Sequence, residues 1–145
     1  MNAIRQIFRS RKTRSFILIR LIVGLIFFSE GIQKFIFPDI TGVGRFQQIG
    51  FDYATFFAYF VAVFEIVCGI LILFGLLTRI AAIPLLVIML TAIVTTKIPI
   101  LTEQGFWFMA HAARTDFALT LLLLFLLIRG PGKYSVDNLF YKEKI

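Results

Sequence analysis

Apolar residues in this chain come in four long runs separated by polar breaks. The first runs from about Ser15 to Phe37 and is stopped by Pro38-Asp39. The second covers Tyr53 to Leu77, the third Ile80 to Ile98, and the fourth Phe106 to Ile128, closed by Gly130-Pro131-Gly132. A helix rises 1.5 Å per residue, so crossing the hydrocarbon core of a bilayer takes about 20 apolar residues. All four runs qualify, and the pattern predicts an all-α membrane protein. Thr78-Arg79 reads as a tight turn between the second and third spans, and Lys97–Gly105 as the link between the third and fourth. Connections this short make neighbouring helices antiparallel, so the packing expected is an up-down four-helix transmembrane bundle. The longer break, Pro38–Asp52, has room for a short interfacial helix. Residues 1–145 read as a single membrane domain with basic tails at 1–14 and 129–145.

Composition agrees with the pattern. Hydrophobic residues make up 59% of the chain, against about 45–50% in soluble domains. The net charge of +7 does not indicate nucleic-acid binding, because most Lys and Arg flank the spans. Arg5, Arg9, Arg11, Lys12 and Arg14 precede the first span; Arg129, Lys133, Lys142 and Lys144 follow the last. With Arg79, these ten face Lys34, Arg45 and Lys97 on the other side. The positive-inside rule then sets both termini in the cytoplasm, with basic tails meeting anionic lipid. Phe106, Trp107 and Phe108 suit an outer aromatic belt. The basic start and apolar run imitate a signal peptide, but no small-residue cleavage pattern follows, and a retained first span is expected. One cysteine, Cys68, and one histidine cannot build a disulfide, a CxxC motif or a two-histidine haem site within one chain.

Charges inside the runs point to the chemistry. An acidic group at the centre of a membrane helix costs roughly 2.5–3.5 kcal/mol. Glu65 sits in the middle of the second run, and Glu30, Lys34, His111, Arg114 and Asp116 fall within or beside others. Glu65 shares a small-residue face with Ala54, Ala58, Ala62 and Gly69, which suits close helix contact in lipid. Arg20, Gly24, Phe27, Gly31 and Lys34 form a similar stripe on the first span. Glu30 lies four residues before Lys34, a spacing that favours an ion pair within one helix. Arg114 and Asp116 are two apart and need separate partners; Glu65 is the partner expected for Arg114. Depth places these groups between the midplane and the outer surface. They are read either as ion pairs that fix helix register or as a ligand-binding and proton-relay cluster. His111 fits an interfacial residue as well as a proton carrier. Arg20 is expected to snorkel to the cytoplasmic headgroups, and Cys68 to be inert packing.

After the fourth span, Pro131 disfavours helix at Gly130, and Gly130 and Gly132 permit a sharp exit. Ser135 can cap a short helix from about Val136, with Asp137 at its N-terminus and Leu139, Phe140 and Tyr141 on the membrane surface. The segment reads as an architectural clamp.

Together these motifs resemble the DoxX family of small four-span bacterial membrane proteins. Span one carries Arg20, Gly24, Gly31 and Lys34 in that family's R…G…G…K order. Span two carries Glu65, Gly69 and Gly75 before Thr78-Arg79, and Gly130-Pro131-Gly132-Lys133-Tyr134-Ser135-Val136-Asp137 is close to its GPGxxSxD. The likeness extends from Arg20 to Asp137. It implies a link to thiosulfate:quinone oxidoreductase, from which the family name derives, and to membrane partners of thiol-redox and superoxide-detoxifying proteins. The leading functional expectation is a membrane subunit serving redox chemistry, with no covalent cofactor or metal. A quinone or similar apolar ligand is expected between the helices and a soluble redox protein as partner. Arg114, His111 and Lys34 would be donors, and Glu65, Glu30 and Asp116 would relay protons. A non-enzymatic scaffold is the second reading and a proton-coupled small-solute carrier the third, with a homo-oligomer supplying a second half.

Overall fold

A computed structural model describes residues 15–142, with side chains to Phe140. The expectations for Arg5, Arg9, Arg11, Lys12, Arg14 and Lys144, and for the side chains of Tyr141 and Lys142, lie outside the described residues. Among the described residues seven α-helices follow in order: α1 Ser15–Ile36, α2 Val43–Ile49, α3 Ala54–Phe74, α4 Thr78–Ala92, α5 Ile98–Gln104, α6 Phe106–Arg129 and α7 Val136–Lys142. A π-helical turn, Ile93–Lys97, joins α4 to α5. Four helical runs are long and apolar enough to cross a membrane: α1, α3, the continuous Thr78–Gln104 run and α6. They pack as an antiparallel bundle in the order α1, α3, α4, α6, with α2 on the interfacial connection against α3.

Two connections differ from the sequence expectation. Thr78 and Arg79 already belong to α4; the turn is Gly75–Leu77, with Gly75 at φ 68° and Leu77 at φ 49°. The third span also does not stop at Lys97. Pro99 falls in the first turn of α5, directly after the π turn, which carries the helix past it. The helix therefore runs on to Gln104, and Gly105 at φ 90° alone makes the corner into α6.

The closest helix pair is α1 with α3, and small residues make it so. A Cβ added to Gly69 would lie 2.9 Å from the Phe28 nitrogen, and one on Gly31 would lie 2.7 Å from the Ala62 carbonyl oxygen. Ala58 and Ala62 are fully buried on the same seam. Close backbones gain dispersion contacts, the attraction left to helices when lipid is as apolar as the side chains.

The core is concentrated toward the Gly75 turn. Val23, Phe27, Ile72, Leu85, Leu123 and Leu126 are its most buried members. In the other half of the bundle packing thins: no α6 residue from Phe106 to Ala118 is buried.

Candidate functional site

Glu65 and Lys34 meet between α1 and α3. The Lys34 Nζ donates to Glu65 Oε2 at 2.6 Å, and the two residues are 8% and 3% exposed. Their meeting follows from the seam. Gly31 brings the α1 backbone against Ala62 and Ile66; Lys34 lies one turn further along α1, and its long side chain, directed back toward the α1 N-terminus as helical side chains are, reaches Glu65. The same Nζ lies 3.5 Å from the Glu30 carbonyl oxygen. Two of the pairings expected from sequence are therefore replaced. Lys34 leaves the Glu30 carboxylate, which is exposed on α1, and takes Glu65 from across the interface. Arg114 does not reach Glu65; it is exposed and donates to the His111 carbonyl in its own helix at 2.6 Å. Geometry forces this outcome. Arg114 lies nine residues before the fully buried Leu123, two and a half turns at 3.6 residues per turn, and so faces the opposite way.

Asp116 has a partner the sequence reading missed. Lys97 Nζ lies 3.1 Å from Asp116 Oδ2, both side chains about one-fifth exposed. Lys97 ends the π turn, next to Thr91, Thr95 and Thr96, whose hydroxyls bond backward to Val87, Thr91 and Ala92 carbonyls. Once Lys97 lies within the continuing helix, it stands beside α6. Its place at the end of an apolar run was the only sequence signal. His111 is exposed on α6.

The motif residues near the Gly75 turn form a separate cluster. Arg20 is 4% exposed, so it does not snorkel to the surface; its Nη2 donates to the Tyr134 carbonyl. It lies against Gly75, where any Cβ would collide with the guanidinium. Asp137 opens α7, but its carboxylate serves a different helix. Oδ1 accepts from the Leu77 N–H at 2.7 Å and Oδ2 from the Thr78 N–H at 3.1 Å, capping α4. In return its own N–H donates to the Gly75 carbonyl at 3.0 Å. The Ser135 hydroxyl donates to Gly132 and accepts from the Asn138 N–H at 3.3 Å, the cap expected for α7. Arg79 donates to the Ile128 carbonyl at 3.1 Å and shields Gly130, whose φ is 77°. Sequence reading found these residues but not the α3–α4 turn as their target.

A surface groove lies elsewhere. A groove of about 810 Å³ runs along the outer side of α3 beneath α2, lined by Phe51, Phe56, Tyr59, Phe60 and Phe64. No charged residue of the intramembrane cluster lines it. No three His, Cys, Asp or Glu side chains come together among the described residues. What the interior offers is an ammonium–carboxylate pair in apolar surroundings, able to donate to a carbonyl or pass a proton.

Four apolar spans around buried charges define a small polytopic membrane protein. The sequence signature of the DoxX family matches residues 15–98, more than half of the chain. The chain is 57% identical over 135 residues to "Uncharacterized membrane protein Rv3486" of Mycobacterium tuberculosis, covering 89% of this chain and 83% of that one. It is 33% identical over 130 residues to "Putative oxidoreductase CatD" of Bacillus subtilis, covering 88% of each. No solved structure matches. The chain belongs to the DoxX family.

Proposed function

We propose that this protein is an inner-membrane subunit serving redox chemistry, with both termini cytoplasmic, and that it holds a quinone-type ligand beside the Lys34–Glu65 pair. The observation that carries the reading is that pair. Removing two charges from water costs several kcal/mol per ion, and their attraction offsets this only in part. Charges kept inside a membrane span at that cost usually serve ions, protons or ligands. The pair also fits a carbonyl ligand. An ammonium has three donors; Glu65 takes one and the Glu30 carbonyl, at 3.5 Å, weakly engages another. One remains for a quinone oxygen. A bound quinone would carry electrons and protons; the chain's own groups would position it and relay protons to it, the Lys34 ammonium giving up a proton that Glu65 and Glu30 would pass on from outside. Electrons would come from a soluble redox partner, in keeping with the oxidoreductase name of the Bacillus subtilis relative.

A second reading, a scaffold whose buried pair pins helix register, draws support from the mutual satisfaction of Lys34 and Glu65. Extraction in mild detergent with mass spectrometry of co-purified lipid separates the two, together with thermal shifts on adding short-chain quinone. Co-purified quinone and a shift abolished by Glu65→Gln support the redox reading. Neither signal from well-folded protein would leave the scaffold.

A further inference from the structure

The α1–α6 junction is packed at one end only. Near the Gly75 turn, Phe16 of α1 packs against Phe125 of α6 with the rings tilted 43° to each other and their centroids 5.3 Å apart. Seven residues make almost two full turns, so positions seven apart keep to one stripe of a helix. Along α1 that stripe reads Phe16, Val23, Glu30. Along antiparallel α6 it reads Phe125, Ala118, His111. The register therefore sets Phe16 level with Phe125, Val23 with Ala118, and Glu30 with His111. Val23 is fully buried, whereas Ala118, Glu30 and His111 are all exposed. This junction is also the most sparsely packed of the four around the bundle. The seam is closed below and open above.

We infer that this opening between α1 and α6 is the route by which a neutral, carbonyl-bearing apolar ring reaches the Lys34–Glu65 pair, with Glu30 and His111 forming its polar rim. The inference rests on the quinone reading above and names where that ligand would enter. Ala118 and Thr115, small and exposed on α6, leave room for a flat ring. Lys34 lies one helical turn beyond Glu30 on α1 and is buried, so the groups lead inward from Glu30 to Lys34 to Glu65. The rim pairs a carboxyl with an imidazole, which can donate and accept at a carbonyl. A rim carboxylate repels an anionic lipid headgroup, so the charges favour the neutral ring over anionic phospholipid.

The test uses the full chain in lipid nanodiscs with Cys68→Ala. Thr115→Trp fills the seam one turn from the Glu30–His111 rim without touching Lys34, and Thr115→Leu does so more mildly should the larger residue impair folding. Affinity for a short-chain benzoquinone should fall at least ten-fold in the filled variant. Phe60→Ala, in the aromatic groove on α3, should leave it unchanged. Unchanged affinity on filling the seam, or a loss confined to Phe60→Ala, would overturn the route while leaving quinone binding standing. Independently of any ligand, Glu30→Cys with His111→Cys should join through a short bis-maleimide within one chain. Glu30→Cys with Ala113→Cys, on another side of α6, should not. No cross-link in the first pair would overturn the seam. A cross-link with no quinone binding to the parent protein would overturn its occupant, and with it the redox reading.

Discussion

Lys34 and Glu65 stand 31 residues apart in the chain and 2.6 Å apart in space, and they tie α1 to α3 within the small-residue seam, between Ala62 and Gly69 of α3. Neither has a second charged partner within salt-bridge distance among the described residues.

That isolation sets the expected cost of breaking the pair. Glu65→Ala leaves a buried ammonium and Lys34→Ala a buried carboxylate, each worth about 3–5 kcal/mol of stability in soluble precedents. Lys34→Met with Glu65→Leu should recover most of the loss, because apolar residues of similar volume replace both charges. Unfolding in detergent across this double-mutant cycle reads the coupling directly. Additive losses would mean the two side chains do not meet. The recovered double variant is also the best protein in which to look for lost quinone binding.

Gly69 has no room to grow. The atoms nearest an added Cβ are backbone, the Phe28 nitrogen at 2.9 Å and the Gly24 oxygen at 3.0 Å, and backbone cannot rotate away. Gly69→Leu should separate α1 from α3, costing on the order of 1–3 kcal/mol or more by overpacking, and should lower the melting temperature. Thr55→Leu, exposed on the same helix, is the control expected to change little.

Asp137→Ala removes both carboxylate bonds to the N-terminus of α4. Loss of a helix cap costs roughly 0.5–2 kcal/mol, and Asp137→Asn should recover part of it through one retained oxygen. Thermal stability measures the loss. Quinone affinity of the folded Asp137→Ala protein should match the parent, since the clamp lies at the far end of the bundle from Glu30 and His111. Full stability with binding abolished would make this segment part of the site.

Topology follows from charge. A cysteine at Gln47, exposed on α2, should react with an impermeant maleimide added outside intact cells, in the Cys68→Ala background. Cysteines beside Arg5 and Lys142 should react only after lysis. External labelling near both termini would reverse the orientation.

The four spans and the special residues were legible because hydrophobic length and helical spacing are local properties. Twenty apolar residues read as a span whatever surrounds them, and Ala58, Ala62 and Gly69 share a face by 3.6-residue geometry alone. The sequence therefore determined the membrane, the number of spans, the small-residue faces that α1 and α3 bring together, and the cap at Ser135. Local spacing also misled where the reading depended on neighbours. The third span looked finished at Ile98 until the helix ran on to Gln104, and Glu30 looked like the partner of Lys34 because it was four residues away. Tertiary structure decided who meets whom. Depth along a span can be counted in residues, but the direction in which a charge points within the bundle depends on how each helix is turned against the others. Close packing at Gly31 turned Lys34 toward Glu65, the buried face at Leu123 turned Arg114 away, and the path of the chain after Gly132 brought Asp137 to a helix 60 residues earlier.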